Sequence, residues 1–299
     1  MGYINVFVSN PAALSVKNSQ LTLKGASGEA SYPLEDLNSV LIENLQTTFN
    51  GYVLNKIAES GAVLYVCDEK HLPAAIMTPF NTFCRKLKAL KYQLNIKKPV
   101  EKQIWKNIVV KKILNQAKCL ELCGIGNEKL LEISQRVTSG DGTNCEAEAA
   151  AVYFKLLYGE AFTRGAEHIV NAALNYGYAI LRGIIARTVT AHGLEPCLGI
   201  FHCSELNEFN LADDLFEPFR PVVDLYAATM LDREKSDLDT AIKANLFNLI
   251  NCDVLIKGQK HSVNYAVEIM VSSFADCIKN SDIEITLPDL LPLKTHEYE

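Results

Sequence analysis

Residues 101–120 read EKQIWKNIVVKKILNQAKCL. Ile104, Trp105, Ile108, Val109, Ile113, Leu114 and Ala117 recur at steps of three and four, which lays an apolar stripe along an α-helix. The same period runs downstream. It predicts helices over 144–158 (from a Thr143/Asn144 cap to Gly159), 166–191 (ending before Gly193), about 235–250 and 262–280. Upstream of residue 80 the period falls to two. Tyr3–Val8 is one strand-like run, and Ser39–Ile42 and Ala62–Val66 are others. Leu14, Val16, Leu21 and Leu23 alternate about a Lys17-Asn18-Ser19-Gln20 turn. Asn10-Pro11, Pro33 and the Gly25/Gly28 pair punctuate them. One helix interrupts this half, with Thr48 as its cap, Tyr52, Val53, Leu54, Ile57 and Ala58 as its stripe, and Gly61 as its stop. The expected fold is α+β: a small N-terminal β-rich domain (1–78) before a larger all-α C-terminal domain (79–299), with 79–100 as a basic linker region.

The composition fits that picture. The chain has 299 residues, 48% hydrophobic and 21% charged, which excludes a disordered or low-complexity protein. No apolar run reaches the ~20 residues needed to span a bilayer. The opening MGYINVFVSNPAAL lacks the basic-then-apolar order of a signal peptide, and a cytoplasmic location is expected. Nine scattered cysteines without a CxxC or Cys/His cluster point to reduced thiols, not zinc. Net charge is −6, yet residues 85–112 hold ten basic side chains against the single acid Glu101. That segment carries +9 and leaves −15 for the rest. Such a block is either a polyanion footprint or a solvated helix face.

The chemistry concentrates in LGIFHCSELNEFNLADDLFEPFRPVVD, residues 198–224. His202 follows a short apolar run. Asp214 and Glu217 are three apart on a predicted helix and share a face. Carboxylates flanked by Leu215, Phe216 and Phe219 are costly to hold without a cation, and a hard divalent metal would offset that cost. A further acid lies in TNCEAEAAAVYF, residues 143–154. Glu146 shares a face with Ala149, Ala150, Tyr153 and Leu157, whereas Glu148 and Lys155 read as a surface pair. The period leaves both open and leans toward Glu146. Two carboxylates and an imidazole suit Mg²⁺ or Mn²⁺ better than zinc, and such an ion serves phosphoryl transfer. The plainer reading is a core histidine beside a helix N-terminal acid cluster at Asp213 and Asp214.

EAEAAAVYF, NAALNYGYAILRGIIAR (171–187), GLEPCLGIFH (193–202) and NLADDLFEPFRPVVD (210–224), in this order, resemble the Cas-one family of CRISPR-associated integrases. The length and the strand-rich start are similar to its type II branch. The resemblance implies an N-terminal β domain that dimerises and a helical catalytic domain. It implies a metal set of Glu146, His202 and Glu217, with Asp214 as an accessory, holding Mg²⁺ or Mn²⁺. The implied reaction is attack by the 3′-hydroxyl of a foreign DNA fragment on a phosphodiester at the edge of the CRISPR repeat. The implied assembly is a homodimer, two of which flank a dimer of the Cas-two partner; the type II effector nuclease and an accessory ring protein are further partners it admits. Under this reading Arg85, Lys86, Lys97, Lys98, Lys102, Lys106 and Arg220 face DNA. Tyr92 and Trp105 either stack on an end base or, for Trp105, fill the core. Asn171, Asn175 and Tyr178 either orient the ligands or bind helix to helix. Cys145 and Cys203 are expected to be small buried residues. The alternatives in other classes are a stand-alone nuclease for branched DNA and an inert DNA-end-binding module.

Overall fold

The computed structural model describes residues 4–26, 28–69, 72–80 and 86–297. It divides into two compact units, Met1–Cys84 and Arg85–Glu299, later than the 78/79 boundary expected.

The first unit holds strands β1 (Ile4–Val8), β2 (Ala12–Lys17), β3 (Gln20–Gly25), β4 (Gly28–Pro33), β5 (Leu37–Ile42), β6 (Val63–Cys67) and β7 (Pro73–Met77), with helix α1 (Gly51–Glu59) between β5 and β6. β2, β3 and β4 form an antiparallel meander. β1, β5, β6 and β7 form a mixed sheet in that order, with β5 parallel to both of its neighbours. β5 is buried along its whole length, as a strand covered on both faces must be. Asn18 and Ser19 both take positive φ, the two-residue turn that matches the twist of a hairpin. Val53 and Ile57 of α1 enter the core with Val6, Leu14, Leu21, Leu37 and Val40. The cap of α1 is Asn50, whose side chain accepts from the Val53 amide at 3.1 Å. The expected cap, Thr48, is instead engaged through its backbone with Ala12 and Leu14 of β2.

The second unit is mostly helical: α2 (Lys86–Leu94), α3 (Lys98–Leu122), α4 (Glu128–Arg136), α5 (Cys145–Tyr158), α6 (Ile169–Ala191), α7 (Asn210–Phe216), α8 (Arg220–Thr229), α9 (Thr240–Asn248) and α10 (Val263–Asn280). It also carries a small antiparallel sheet of β8 (Cys252–Ile256), β9 (Gln259–Ser262) and β10 (Asp289–Thr295), which reading this half as all-α leaves out. Lys257 and Gly258, both at positive φ, close the β8–β9 hairpin. α9 begins later than 235 because Asp239 caps it, accepting from the Ile242 amide at 2.8 Å. The expected basic linker is largely α2. Gln93 of α2 is buried, donates to the Glu195 and Leu198 carbonyls and accepts from the Glu195 amide, all at 2.9 Å. α2 is thereby fastened to the loop that leads to His202.

α6 passes for a membrane span by length and composition. Its most apolar window is 78% buried within the structure, as befits a core helix. A Cβ added to its Gly177 would lie 2.5 Å from Val223 Cγ1, so the missing side chain sets how closely α6 and α8 approach.

Candidate active site

α3 is the spine of the site. Lys102, Trp105, Val109 and Lys112 fall on one of its faces. Each of the three non-aliphatic members meets a different part of the site.

At the middle of that face, Trp105 is buried and stacks flat on Phe201, with centroids 4.2 Å apart and planes 6° apart. It also meets His202 edge-on at 6.0 Å. Trp105 is therefore a core residue that also braces the imidazole. His202 is held by Asp214 of α7. The Asp214 carboxylate accepts from the backbone amides of Ile200 (2.6 Å), Phe201 (3.0 Å) and His202 (3.1 Å), and lies 2.7 Å from His202 Nδ1. That contact makes Nδ1 the protonated nitrogen and leaves Nε2 as the free lone pair on a side chain that is 40% exposed. The Asp214 hydrogen bond raises the His202 pKa above the ordinary 6.5. Gly199 makes room for this clasp: a Cβ there would sit 2.2 Å from the His202 carbonyl and 2.8 Å from Asp214 Oδ2. Both Asp214 oxygens accept hydrogen bonds from the 200–202 segment, so this carboxylate orients the His202 ring.

Further along α3, Lys112 is 6% exposed and its ammonium pairs with both Glu146 and Glu217. Glu146 stands in the first turn of α5. Asn144 is the N-cap residue, as expected, but its side chain makes no capping bond; the Asp141 carboxylate does so instead, accepting from the Cys145 and Glu146 amides, each at 2.9 Å. The loop before α5 bends through Gly140, Asp141 and Asn144, all at positive φ, and Gly140 lies against the Lys102 stem. Glu148 points away and pairs with Arg136 at 2.6 Å, while Lys155 pairs with Glu160 at 3.3 Å. The face shared with Ala149 and Tyr153 is thus the inward one.

Glu217 follows α7 on a single tight turn, with its side chain 5% exposed. Its Oε1 accepts from Arg220 Nε at 2.9 Å. Its Oε2 faces the Lys112 ammonium. Burial pushes this carboxyl up, but the Arg220 guanidinium and the Lys112 ammonium overcome it and hold the pKa at about 2. Arg220 lies over the rings of Phe216 (4.4 Å) and Tyr178 (4.8 Å). Expected as a phosphate contact, it is placed here with its Nε on Glu217. Asn115 of α3 donates to the carbonyls of Pro218 (2.8 Å) and Pro288 (3.0 Å), fixing the backbone beside Glu217.

Tyr178 donates to Asp224, behind Arg220, as does Tyr153 at 3.0 Å. Asn171 and Asn175 instead receive Arg164 at 2.6 and 3.0 Å, tying a loop to α6 away from the carboxylates. Cys145 is buried as expected; Cys203 is exposed. Of the residues expected to face DNA, Arg85 lies outside the described residues. Lys86 is 3.5 Å from Glu195, Lys98 is 2.6 Å from Glu101, Lys97 and Lys102 are exposed, and Lys106 is half-buried. Tyr92 lies beneath Lys88 at 5.9 Å.

The pattern of the family described as CRISPR associated protein Cas1 matches residues 6–249. The "CRISPR-associated endonuclease Cas1" of Neisseria meningitidis serogroup C is 42% identical, with all of both chains covered. The chain belongs to the Cas1 family. Two solved structures share its fold. A casposase bound to integration product aligns with a TM-score of 0.77 at 16% identity, over 95% of this chain and 92% of that one. A Cas1 protein from Thermotoga maritima aligns at 0.73 and 13% identity, over 92% and 97%.

Among the described residues, no three His, Cys, Asp or Glu side chains stand together as a ready ligand set. The donors nonetheless fit a hard divalent ion in kind. Two carboxylates from separate elements already share one cation, and the charge of Glu217 is felt at the His202 imidazole, whose Nδ1 is committed to Asp214 and whose Nε2 keeps its lone pair. Lys112 is the functional residue that the sequence reading missed, having been counted in the basic block. Its signal was its position: three residues after Val109 and seven after Trp105, it falls on the buried face of α3.

Proposed function

We propose that this Cas1 chain is a divalent-metal-dependent DNA nuclease and integrase of CRISPR adaptation. It would join the 3′-hydroxyl of a foreign fragment to the repeat edge by transesterification. The observation that carries the reading is the convergence of Glu146 and Glu217 on one cation, with the tautomer of His202 fixed separately by Asp214. Glu146, His202 and Glu217 would hold Mg²⁺ or Mn²⁺. When bound, that ion supplies Lewis-acid stabilisation of the attacking and leaving oxygens.

The chain's own residues do the rest. Asp214 fixes the imidazole so that Nε2 faces outward as a donor to metal and not as a general base. Arg220 and Lys112 keep Glu217 ionised throughout the neutral range. Lys97, Lys98 and Lys102 on and beside the first turn of α3 supply sequence-tolerant phosphate contacts, which suits fragments of arbitrary sequence. DNA and a Cas2 partner agree with solved neighbours titled "Cas6-RT-Cas1--Cas2 complex" and "Crystal structure of TtCas1-DNA complex". A homodimer, the type II effector nuclease and a cytoplasmic setting belong to the same reading.

The test is joining of a labelled fragment to a supercoiled plasmid bearing the repeat. The wild type should join with Mg²⁺ or Mn²⁺ and stop in chelator. Glu146→Ala and His202→Ala should lose the activity by about a thousandfold or more, while Glu148→Ala should keep it. Retained joining in folded Glu146→Ala protein would refute the assignment.

A further inference from the structure

Lys112 occupies the position between the two carboxylates that the proposed function assigns to a metal. Its stem leaves the buried face of α3, and its ammonium meets Glu146 on one side and Glu217 on the other. The local charge is balanced as it stands, with two carboxylates against Lys112 and Arg220. A divalent ion added to that set would leave excess positive charge in a half-buried space, a repulsion that low polarity magnifies. The ion and the ammonium would compete for the same oxygens. The ammonium can move aside without rearranging the helix, because a lysine carries its charge on a flexible four-carbon stem.

We infer that Lys112 is a resident counter-cation of the Glu146–Glu217 pair, which a divalent ion must displace, so that Lys112 sets the metal affinity of the site. This rests on the reading that these two glutamates hold the metal. In the metal-free protein the ammonium keeps two like charges together and the site assembled. It acts through the carboxylates and is a positioning residue. A purely structural lysine makes the opposite prediction, since its loss would disorder the carboxylates and weaken metal binding.

The experiment is a Mn²⁺ titration of full-length wild type, Lys112→Met and Lys112→Arg, following the free aqua ion by electron paramagnetic resonance. Lys112→Met should bind Mn²⁺ about tenfold more tightly than wild type, and Lys112→Arg, which keeps the charge, should not. Lys112→Met should also melt lower without metal and gain more from Mn²⁺ than wild type does. Equal or weaker binding by Lys112→Met that is folded by circular dichroism would overturn the inference. Should that variant not fold, the wild type answers alone. A lysine-acylating ester, read by mass spectrometry, should modify Lys112 more with Mn²⁺ than without, and unchanged modification would count against displacement. No Mn²⁺ binding by wild type would remove the metal assignment itself and this inference with it.

Discussion

Four donors converge on Asp214: three consecutive backbone amides and the imidazole of His202. A carboxylate has the lone pairs for all of them; an amide does not, and its NH₂ would face another donor. Asp214→Asn should therefore loosen the 199–202 turn and release the ring. Because the Asp214 hydrogen bond is the main cause of the raised His202 pKa, the variant's imidazole should titrate lower, nearer 6.5. The sign follows from linkage: the raised pKa adds stability that is complete below the unfolded value and is lost as pH rises through the folded one, so the variant gives up most below neutrality. DNA joining should drop about 10- to 100-fold. A proton NMR titration of the His202 ring checks this, and a pKa unchanged from wild type would count against the clasp. Segment likeness singled out Glu146, His202 and Glu217, and the structure sets Glu146 and Glu217 against one ammonium and clasps His202 on Asp214. The likeness also set Glu217 apart from Asp214, but the clasp that Asp214 makes on the 200–202 amides and the His202 ring was not legible, because it depends on a turn twelve residues upstream.

At the scale of elements, one buried carboxylate joins three helices. Asp224 of α8 receives the hydroxyls of Tyr153 from α5 and Tyr178 from α6, and its carbonyl receives Tyr158. Burial pushes its carboxyl up to about 6 despite these donors. The folded protein thus holds this proton more tightly than the unfolded chain, and the contribution of Asp224 to stability falls as pH rises from about 4 to above 6. Asp224→Asn removes the titration and keeps an acceptor for the tyrosines. Measured by urea unfolding, the variant should gain on wild type by roughly 2 kcal/mol between pH 4 and pH 7; a pH-independent difference would place the titration elsewhere. Helices α3, α5, α6, α9 and α10 were legible from their periods, which are local; α2, α4 and α8 were not read as helices. The capping bonds from Asp141 were not legible, because they act from four and five residues upstream through a left-handed turn. The β8–β9–β10 sheet escaped because its strands are short and its third strand lies beyond α10. Lys112 escaped because a lysine among lysines reads as solvated, and only the angular position on α3 separates it from its neighbours.

Over the whole molecule, a chain of net −6 must bind a polyanion through a local patch, since its average field repels DNA. The basic segment is less free than its count suggests. Lys86, Lys98, Lys111 and Lys112 are each paired with an acid. Among the described residues, Lys88, Lys91, Lys97, Lys102 and Lys106 form no ion pair. Lys98 remains 80% exposed, and its partner Glu101 sits in the same helical turn, so water screens that pair and phosphate competes with it readily. Lys97, Lys98 and Lys102 therefore offer three charges at the start of the helix whose later turns carry Trp105 and Lys112 to the site. Replacing all three with glutamine should lower the steepness of log K against log salt by about 2 to 3, because each phosphate contact releases close to one counterion. Binding at low salt should weaken for every sequence alike, while helix content and Mn²⁺ affinity stay as in wild type, since none of the three touches Glu146, His202 or Glu217. An unchanged salt slope would move the DNA-facing charge off the first turns of α3, and the ion pairs that neutralise Lys111, Lys112 and Lys118 would then leave Lys106 and α2, with Lys88 and Lys91, as the surfaces to test next.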